Sequence, residues 1–362
     1  MAPLALSHFT RLPPVARAEV VDGLDSRLDA VAERGHESHR FLRYGWFAAA
    51  LAAYGGHART LVVEQDEVPV LALPFTPVGP PLLGLATVPG SYWPFRGFPL
   101  ALEADEPALA AALAMLAHHV RGLRIGPVLD GDPAVESLLA AARAAGWATI
   151  DRAVAQSWRL DLPPPAEWPR ASTLRKNRFH EKHLATHGAL DWRFLDTPDW
   201  PHAFDLLARV EEESWIASAT DGRDAKFTAA GHGAFWRAAA ADPVLAQQFR
   251  AALLTVDGEP AAFSFDLDAG AHRYAIANSY RPGIAKHSPG RLLHYRNLTR
   301  ARDAGVRTVD WGAGDSGYKQ ALGAVAGPVF RDWLLLRPGI TTLAGRLAAP
   351  WWRQTGRDHT RR

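Results

Sequence analysis

Residues 272–311, HRYAIANSYRPGIAKHSPGRLLHYRNLTRARDAGVRTVDW, decide the fold. His272–Tyr280 reads as a strand, Arg291–Ala304 as a helix and Arg307–Trp311 as a second strand, with a Gly-containing loop after the first. A strand–helix–strand unit pairs its strands in parallel, so part of the sheet is parallel. The turn ahead of the helix is a place for an anionic group. Ser288 suits the N-cap, Pro289 the first helical position, and Gly290 lets an incoming group approach the backbone. The helix start offers unpaired N–H groups and the positive end of its dipole, flanked by Arg281, Lys286 and Arg291. An ordinary capped helix with solvated basic neighbours is the competing reading.

Working outward, the unit is preceded by Arg250–Leu267, a hairpin with Asp257-Gly258 as its turn. It is followed by a short helix and the strand Val329–Leu336. Helical patterns cover Ser172–Thr186, Trp200–Trp215 and Gly233–Ala241, and Leu190–Leu195 is strand-like. The first half repeats this logic: a helix over 41–54, a hairpin over Arg59–Pro74 turning at Gln65–Glu67, helices at Glu106–Val120 and Ala134–Ala145, a strand at Leu123–Gly126 and an extended Trp147–Leu162. Asp66 and Pro69 fall opposite Asp257 and Pro260, which reads as a diverged internal duplication. Pro163-Pro164-Pro165 breaks the pattern, giving expected domains at 1–162 and 163–340 and a basic, Trp-containing tail at 341–362.

The chain has 362 residues, 48% of them hydrophobic, with 40 Lys+Arg against 38 Asp+Glu and no Cys. Two cored domains fit that length, and disordered or disulfide-scaffold classes do not fit that composition. Without Cys, thiol nucleophiles and thiolate metal sites are excluded. The net charge of +2 is too small for wholesale nucleic-acid coating. No apolar run reaches bilayer length and the N-terminus lacks a secretory pattern, so a cytoplasmic location is expected.

A second motif follows the parallel unit. Asp310–Gly323 formally contains G-x-G-x-x-G after a strand, but Gly323 and Gly327-Pro328 break the helix too soon for a dinucleotide site. The glycines instead shape a strand end that presents Asp310, Asp315, Tyr318 and Lys319 together. Alternatively, Asp315 caps the short helix and Tyr318 packs in the core. Elsewhere, Arg175, Lys176, Arg178 and Lys182 make a basic helix that reads as a solvated face or an anion clamp. In the tail, Trp351-Trp352 among arginines suits a membrane interface, with Pro350 expected to interrupt a long amphipathic helix. The pairs His118-His119 and His180/His183 lack a carboxylate at metal-binding spacing, so no metal is expected.

The run Tyr280, Ser288-Pro289-Gly290-Arg291-Leu292-Leu293, Gly305 and Val309-Asp310-Trp311-Gly312-x-Gly314-Asp315-x-x-Tyr318-Lys319 resembles the CelD/BcsL-type branch of the GNAT acyltransferases, relatives of the Fem-type peptidoglycan transferases. Phe41-Leu42-x-x-x-Trp46 and the first hairpin resemble the family's first half. The resemblance implies tandem GNAT-like α/β domains, the first degenerate and the second carrying the acyl-donor site. It implies acyl-CoA as co-substrate, no metal, and transfer of the acyl group to a primary amine. Lys286, Ser288, Gly290, Arg291 and Leu292 then hold the donor's pyrophosphate, and its pantetheine arm runs beside His272–Tyr280. Asn278, Tyr280 and Arg175 bind substrate. Tyr318 protonates the leaving thiolate, Asp315, or secondarily Asp310, takes the ammonium proton, and Lys319 steadies developing negative charge. Tyr318 precedes Gly323 by five residues where the family has four. The family points to envelope lipid or polysaccharide synthesis, with an amino sugar, a sphingoid base or a peptide amine as acceptor. Expected partners are the acyl donor, the acceptor and peripheral contact with the membrane or envelope machinery. Fem-like aminoacyl transfer from tRNA and a non-catalytic scaffold are the alternatives.

Overall fold

The computed structural model describes residues 16–93, 95–164, 169–197, 199–314 and 317–360. The strands are β1 (Ala16–Asp22), β2 (Arg59–Gln65), β3 (Val68–Pro77), β4 (Leu85–Thr87), β5 (Gly122–Leu129), β6 (Ala148–Asp161), β7 (Leu190–Leu195), β8 (Phe249–Val256), β9 (Glu259–Ala269), β10 (His272–Tyr280), β11 (Thr308–Ala313) and β12 (Val325–Leu336). The helices are α1 (Arg27–Arg34), α2 (Tyr44–Tyr54), α3 (Glu106–His119), α4 (Pro133–Ala144), α5 (Ala171–Leu184), α6 (Trp200–Glu212), α7 (Trp215–Thr220), α8 (Gly233–Ala239), α9 (Pro243–Gln248), α10 (Pro289–Asp303), α11 (Tyr318–Leu322) and α12 (Ile340–Thr360).

All twelve strands join one mixed sheet in the order β1-β2-β3-β4-β5-β12-β6-β11-β10-β9-β8-β7. From either edge inward the pattern is the same: three antiparallel pairings, then one parallel pairing, β4 with β5 and β10 with β11. The last strand of each half is exchanged, β12 lying beside β5 and β6 beside β11. β6 and β12 pair with each other from Arg159↔Val325 to Ala148↔Leu336, which fuses the halves at the centre.

The two hairpins show how sequence sets this repeat. Asp66 and Glu67 in one, Asp257 and Gly258 in the other, all take positive φ, the conformation that lets a two-residue turn follow the strands' twist. Each hairpin slips register at the same place, between Val63 and Glu64 and between Leu254 and Thr255, so that Glu64 faces Pro69 and Thr255 faces Pro260. A proline has no N–H for the ladder, and a bulge beside it absorbs the missing bond.

α10 crosses from β10 to β11 and buries Leu292, Leu293, Tyr295, Leu298 and Ala301, one stripe at helical spacing. A second lock is polar: Arg273 of β10 bonds Asp268 of β9 at 2.6 and 2.8 Å and Asn297 of α10 at 3.0 Å. An aromatic cluster built on Phe41, Trp46, Phe95, Phe235, Trp236 and Phe265 joins helices of both halves.

Three expectations are corrected here. Ser288 makes no side-chain cap: it sits at φ 54, between a 3-10 turn (Pro282–His287) and α10, and only its carbonyl enters the helix, accepting from Leu292 N at 3.1 Å. α12 runs unbroken through Pro350, because the flanking turns and its seat on β6 outweigh the single hydrogen bond that a proline removes. α2 begins at Tyr44, after a turn over 37–43, and not at residue 41.

Candidate active site

β10 and β11 pair only over His272–Tyr274 with Thr308–Asp310, yet β10 continues to Tyr280 and β11 to Ala313. β10 slips register against β9 between Ala275 and Ala277, a bulge that bends it away from β11. The strands diverge around a cavity of about 780 Å³. Ala275, Ala277, Asn278 and Tyr280 line one side, Trp311 and Ala313 the other, and Ser288, Gly290, Arg291 and His294 of α10 stand at one end with Tyr318 and Lys319 of α11 nearby.

The first half has the same divergence, since β4 and β5 pair only over three positions. There the chain fills its own gap: Val88 N donates to Arg124 O at 3.0 Å, Arg96 N to Pro127 O at 3.1 Å and Gly126 N to Arg96 O at 3.1 Å, while Phe95 and Phe98 are buried. This filling segment also reaches the second half. Trp93 lies on Gly312, where a Cβ would collide with its ring, and forms part of the cavity wall.

At the cavity's inner end, Asn278 Nδ2 donates to Tyr318 Oη at 3.2 Å. The Tyr318 ring stacks with His294 (centroids 5.9 Å, 13° between planes) and with Trp311 (5.7 Å, 25°), and His294 stacks with Trp311 at 5.3 Å. Burial pulls the His294 imidazole down to about 4, so it is neutral at physiological pH. Lys319 is 4% exposed, and its ammonium donates to the carbonyls of Trp311 at 2.6 Å, Gly312 at 3.4 Å and Ala313 at 3.0 Å.

The remaining expected site residues are placed as follows. Asp310 is buried, accepts from Gly312 N at 2.6 Å and is pushed up to about 6, mainly by burial. Its side chain is not among the cavity walls, because it alternates with Trp311 along the strand. Asp315 lies outside the described residues. Leu292 differs from expectation: its side chain packs in the core with Leu254 and Ala262, and its amide is spent within the helix, leaving no donor for a phosphate. Lys286 and Arg175 are exposed and line no part of this cavity. Arg281 is held by Glu213 at 3.1 Å.

Several wall residues have no motif in the sequence. His294 is one; its only signal is a polar residue inside the buried run Leu292–Tyr295. The others come from the far side: Trp93, and Trp215, Ile216, Thr220, Asp224 and Lys226 around α7. Lys226 sits over the Tyr92 ring at 4.6 Å, and burial lowers its pKa. Buried Glu211 accepts from the amides of Lys226 and Phe227 at 2.8–2.9 Å, fixing that loop against α6.

Among the described residues, no group of three or more His, Asp or Glu side chains could hold a metal ion, and no helix is long and apolar enough to cross a membrane.

Residues 171–320 match the family model described as an acetyltransferase (GNAT) domain. No curated protein matches the sequence. Among solved structures, FemX is similar with a TM-score of 0.59 at 12% identity, over 91% of this chain and 100% of that one. A conserved protein of unknown function from Bacteroides thetaiotaomicron VPI-5482 gives 0.55 at 13% identity, over 88% and 100%. L-PGS from Bacillus licheniformis gives 0.51 at 12%, over 92% and 98%. At these identities the likeness is one of fold. The fold is mixed α/β around one twelve-stranded sheet, and residues 171–320, which supply most of the cavity walls, are similar to the GNAT acetyltransferase domain.

Proposed function

We propose that the chain transfers an acyl group from a CoA-type thioester to a primary amine, forming an amide and a free thiol. The observation that carries this reading is the divergence of β10 from β11 beside the start of α10. Beyond Tyr274, β10 has no strand partner on its β11 side among the described residues, which leaves that edge for an extended, amide-bearing arm. The donor's diphosphate rests against Ser288, Gly290 and Arg291, where the helix dipole favours negative charge. Its thioester then reaches the Asn278–Tyr318 pair.

The amine nitrogen attacks the thioester carbonyl carbon and the C–S bond breaks. Tyr318 gives its proton to the departing sulfur and regains one from solvent, and the proton lost by the new ammonium passes to solvent through Asp315. Asn278 orients the Tyr318 hydroxyl, and the neutral His294 and Trp311 hold its ring without placing a charge beside it. Lys319, committed to three carbonyls of β11, fixes the strand end and so shapes the site from behind.

The acceptor enters past Trp93, Trp215 and Tyr280, an aromatic mouth that suits an amine on an extended apolar or ring-bearing molecule. An amino sugar, a sphingoid base or a peptide amine of the cell envelope fits that description.

Thiol release from acyl-CoA, followed with a chromogenic thiol reagent while amines are varied, tests the reading. The chain contains no Cys, so the signal comes from the donor alone. Amine-dependent release that falls about 100-fold or more in Tyr318→Phe is expected. Turnover only with charged tRNA would replace this reading with Fem-like aminoacyl transfer, and tight binding of a partner without turnover would replace it with a scaffold.

A further inference from the structure

We propose that α12 seats the protein on an anionic lipid bilayer through an apolar stripe on its outer face. Ile340, Leu343, Leu347 and Trp351 are 89, 65, 76 and 68% exposed. Their spacing of three, four and four places them on one side of the helix. The opposite side is already used. Ala349 is buried with Ile150 and Leu336, a Cβ on Gly345 would collide with Leu336, and Trp352 lies under the Arg152 guanidinium at 3.8 Å. Arg152 also donates to Thr355 Oγ1 at 2.6 Å. Among the described residues nothing covers the stripe, which is an apolar face on a firmly held helix.

Its surroundings identify the occupant. Between Asp332 and Asp358 the chain has no acidic residue, but it has Arg337, Arg346, Arg353 and Arg357. Arg346 makes no ion pair with a described residue, and Arg353 reaches only Asp151, at 3.4 Å. A second apolar element adjoins the start of the helix: Arg337 N donates to Arg121 O at 3.0 Å, Arg121 Nη1 donates to Leu82 O at 3.1 Å, and Leu82 and Leu83 are 87 and 51% exposed. Leucines with a tryptophan at headgroup depth, and cations of one sign beside them, match an anionic membrane surface. A second copy of the chain fits worse, because a two-fold contact along this helix would bring the arginine flank against itself. This inference is independent of the acyl-transfer reading.

Sedimentation of the full chain with vesicles tests it, using phosphatidylcholine alone and phosphatidylcholine mixed with phosphatidylglycerol. Binding to the mixed vesicles that weakens as salt is raised is expected, with partitioning reduced about tenfold or more in the double variant Leu343→Ser/Leu347→Ser. Arg346→Glu should lower binding to the mixed vesicles while its circular dichroism stays that of the wild type. Equal sedimentation of wild type and double variant would overturn the proposal. So would a dimer in light scattering that the same two substitutions abolish, since a second copy would then cover the stripe.

Discussion

His294 and Tyr318 stack at the inner end of the cavity, and their chemistry separates them. The imidazole is held neutral by burial, with its pKa near 4 against about 6.5 in an unfolded chain. Between those values the unfolded state binds more protons, so this group's contribution is present above about pH 6.5 and is lost as pH falls through 4. Relative to His294→Phe, the wild type should lose on the order of 2–3 kcal/mol of stability between pH 7 and pH 4, measured by denaturant unfolding. Asp310 runs the other way: its carboxyl is raised to about 6 and costs stability as pH rises from about 4 to 6. Lys319→Met strips a cation from three carbonyls, each of which loses a partner, and should lower stability by roughly 1–3 kcal/mol in the same measurement. Ser288, Gly290 and Arg291 could be picked out by turn chemistry and Tyr318 and Lys319 by the glycines around them, whereas Asn278 and Tyr280 came only from the family resemblance; all seven line the cavity. His294 and Lys226 could not be picked out either way. Each enters the cavity through how a helix or loop packs, and one sequence carries no signal for that.

At the scale of elements, glycine shows how closely the halves are fitted. Gly312 sits at φ 63 with the Trp93 ring directly over it, so Gly312→Ala meets both backbone strain and a collision. The variant should lose about 1–3 kcal/mol and show a shifted Trp fluorescence, whereas Gly314→Ala, with open space around it, should lose only the backbone part. Both hairpins were legible to their turn residues, since Asp-Glu and Asp-Gly between apolar runs leave few alternatives. β1 and β4 were not. β1 is an edge strand of mixed polarity, and β4 is three residues long, too short for any periodicity. The start of α10 was legible as a location but not in its geometry: Ser288 takes the left-handed conformation and its hydroxyl does not cap.

Across the whole molecule, the exchange of β6 and β12 makes the halves interdependent, a feature with no local cause and so invisible in the sequence. A cut in the 162–170 linker leaves residues 1–162 with β5 lacking β12 and β6 lacking both of its neighbours. That piece expressed alone should be insoluble or unfolded by circular dichroism, and co-expression with residues 163–362 should restore a soluble complex. Buried Asp332, bonded to Arg124 and Arg152 at 2.6–3.0 Å, pins this junction. The repeated strand pattern also accounts for the cavity's place: among the described residues, the first half fills its β4–β5 divergence with its own chain, and the second leaves the β10–β11 divergence open toward α10. Calorimetric titration with coenzyme A reads that opening directly. Saturable heat is expected with the wild type and should be lost in Gly290→Val, whose side chain would press on Tyr280, already 3.2 Å from a Cβ at that position. No heat at millimolar ligand, or equal binding by the variant, would contradict a donor site between β10 and β11.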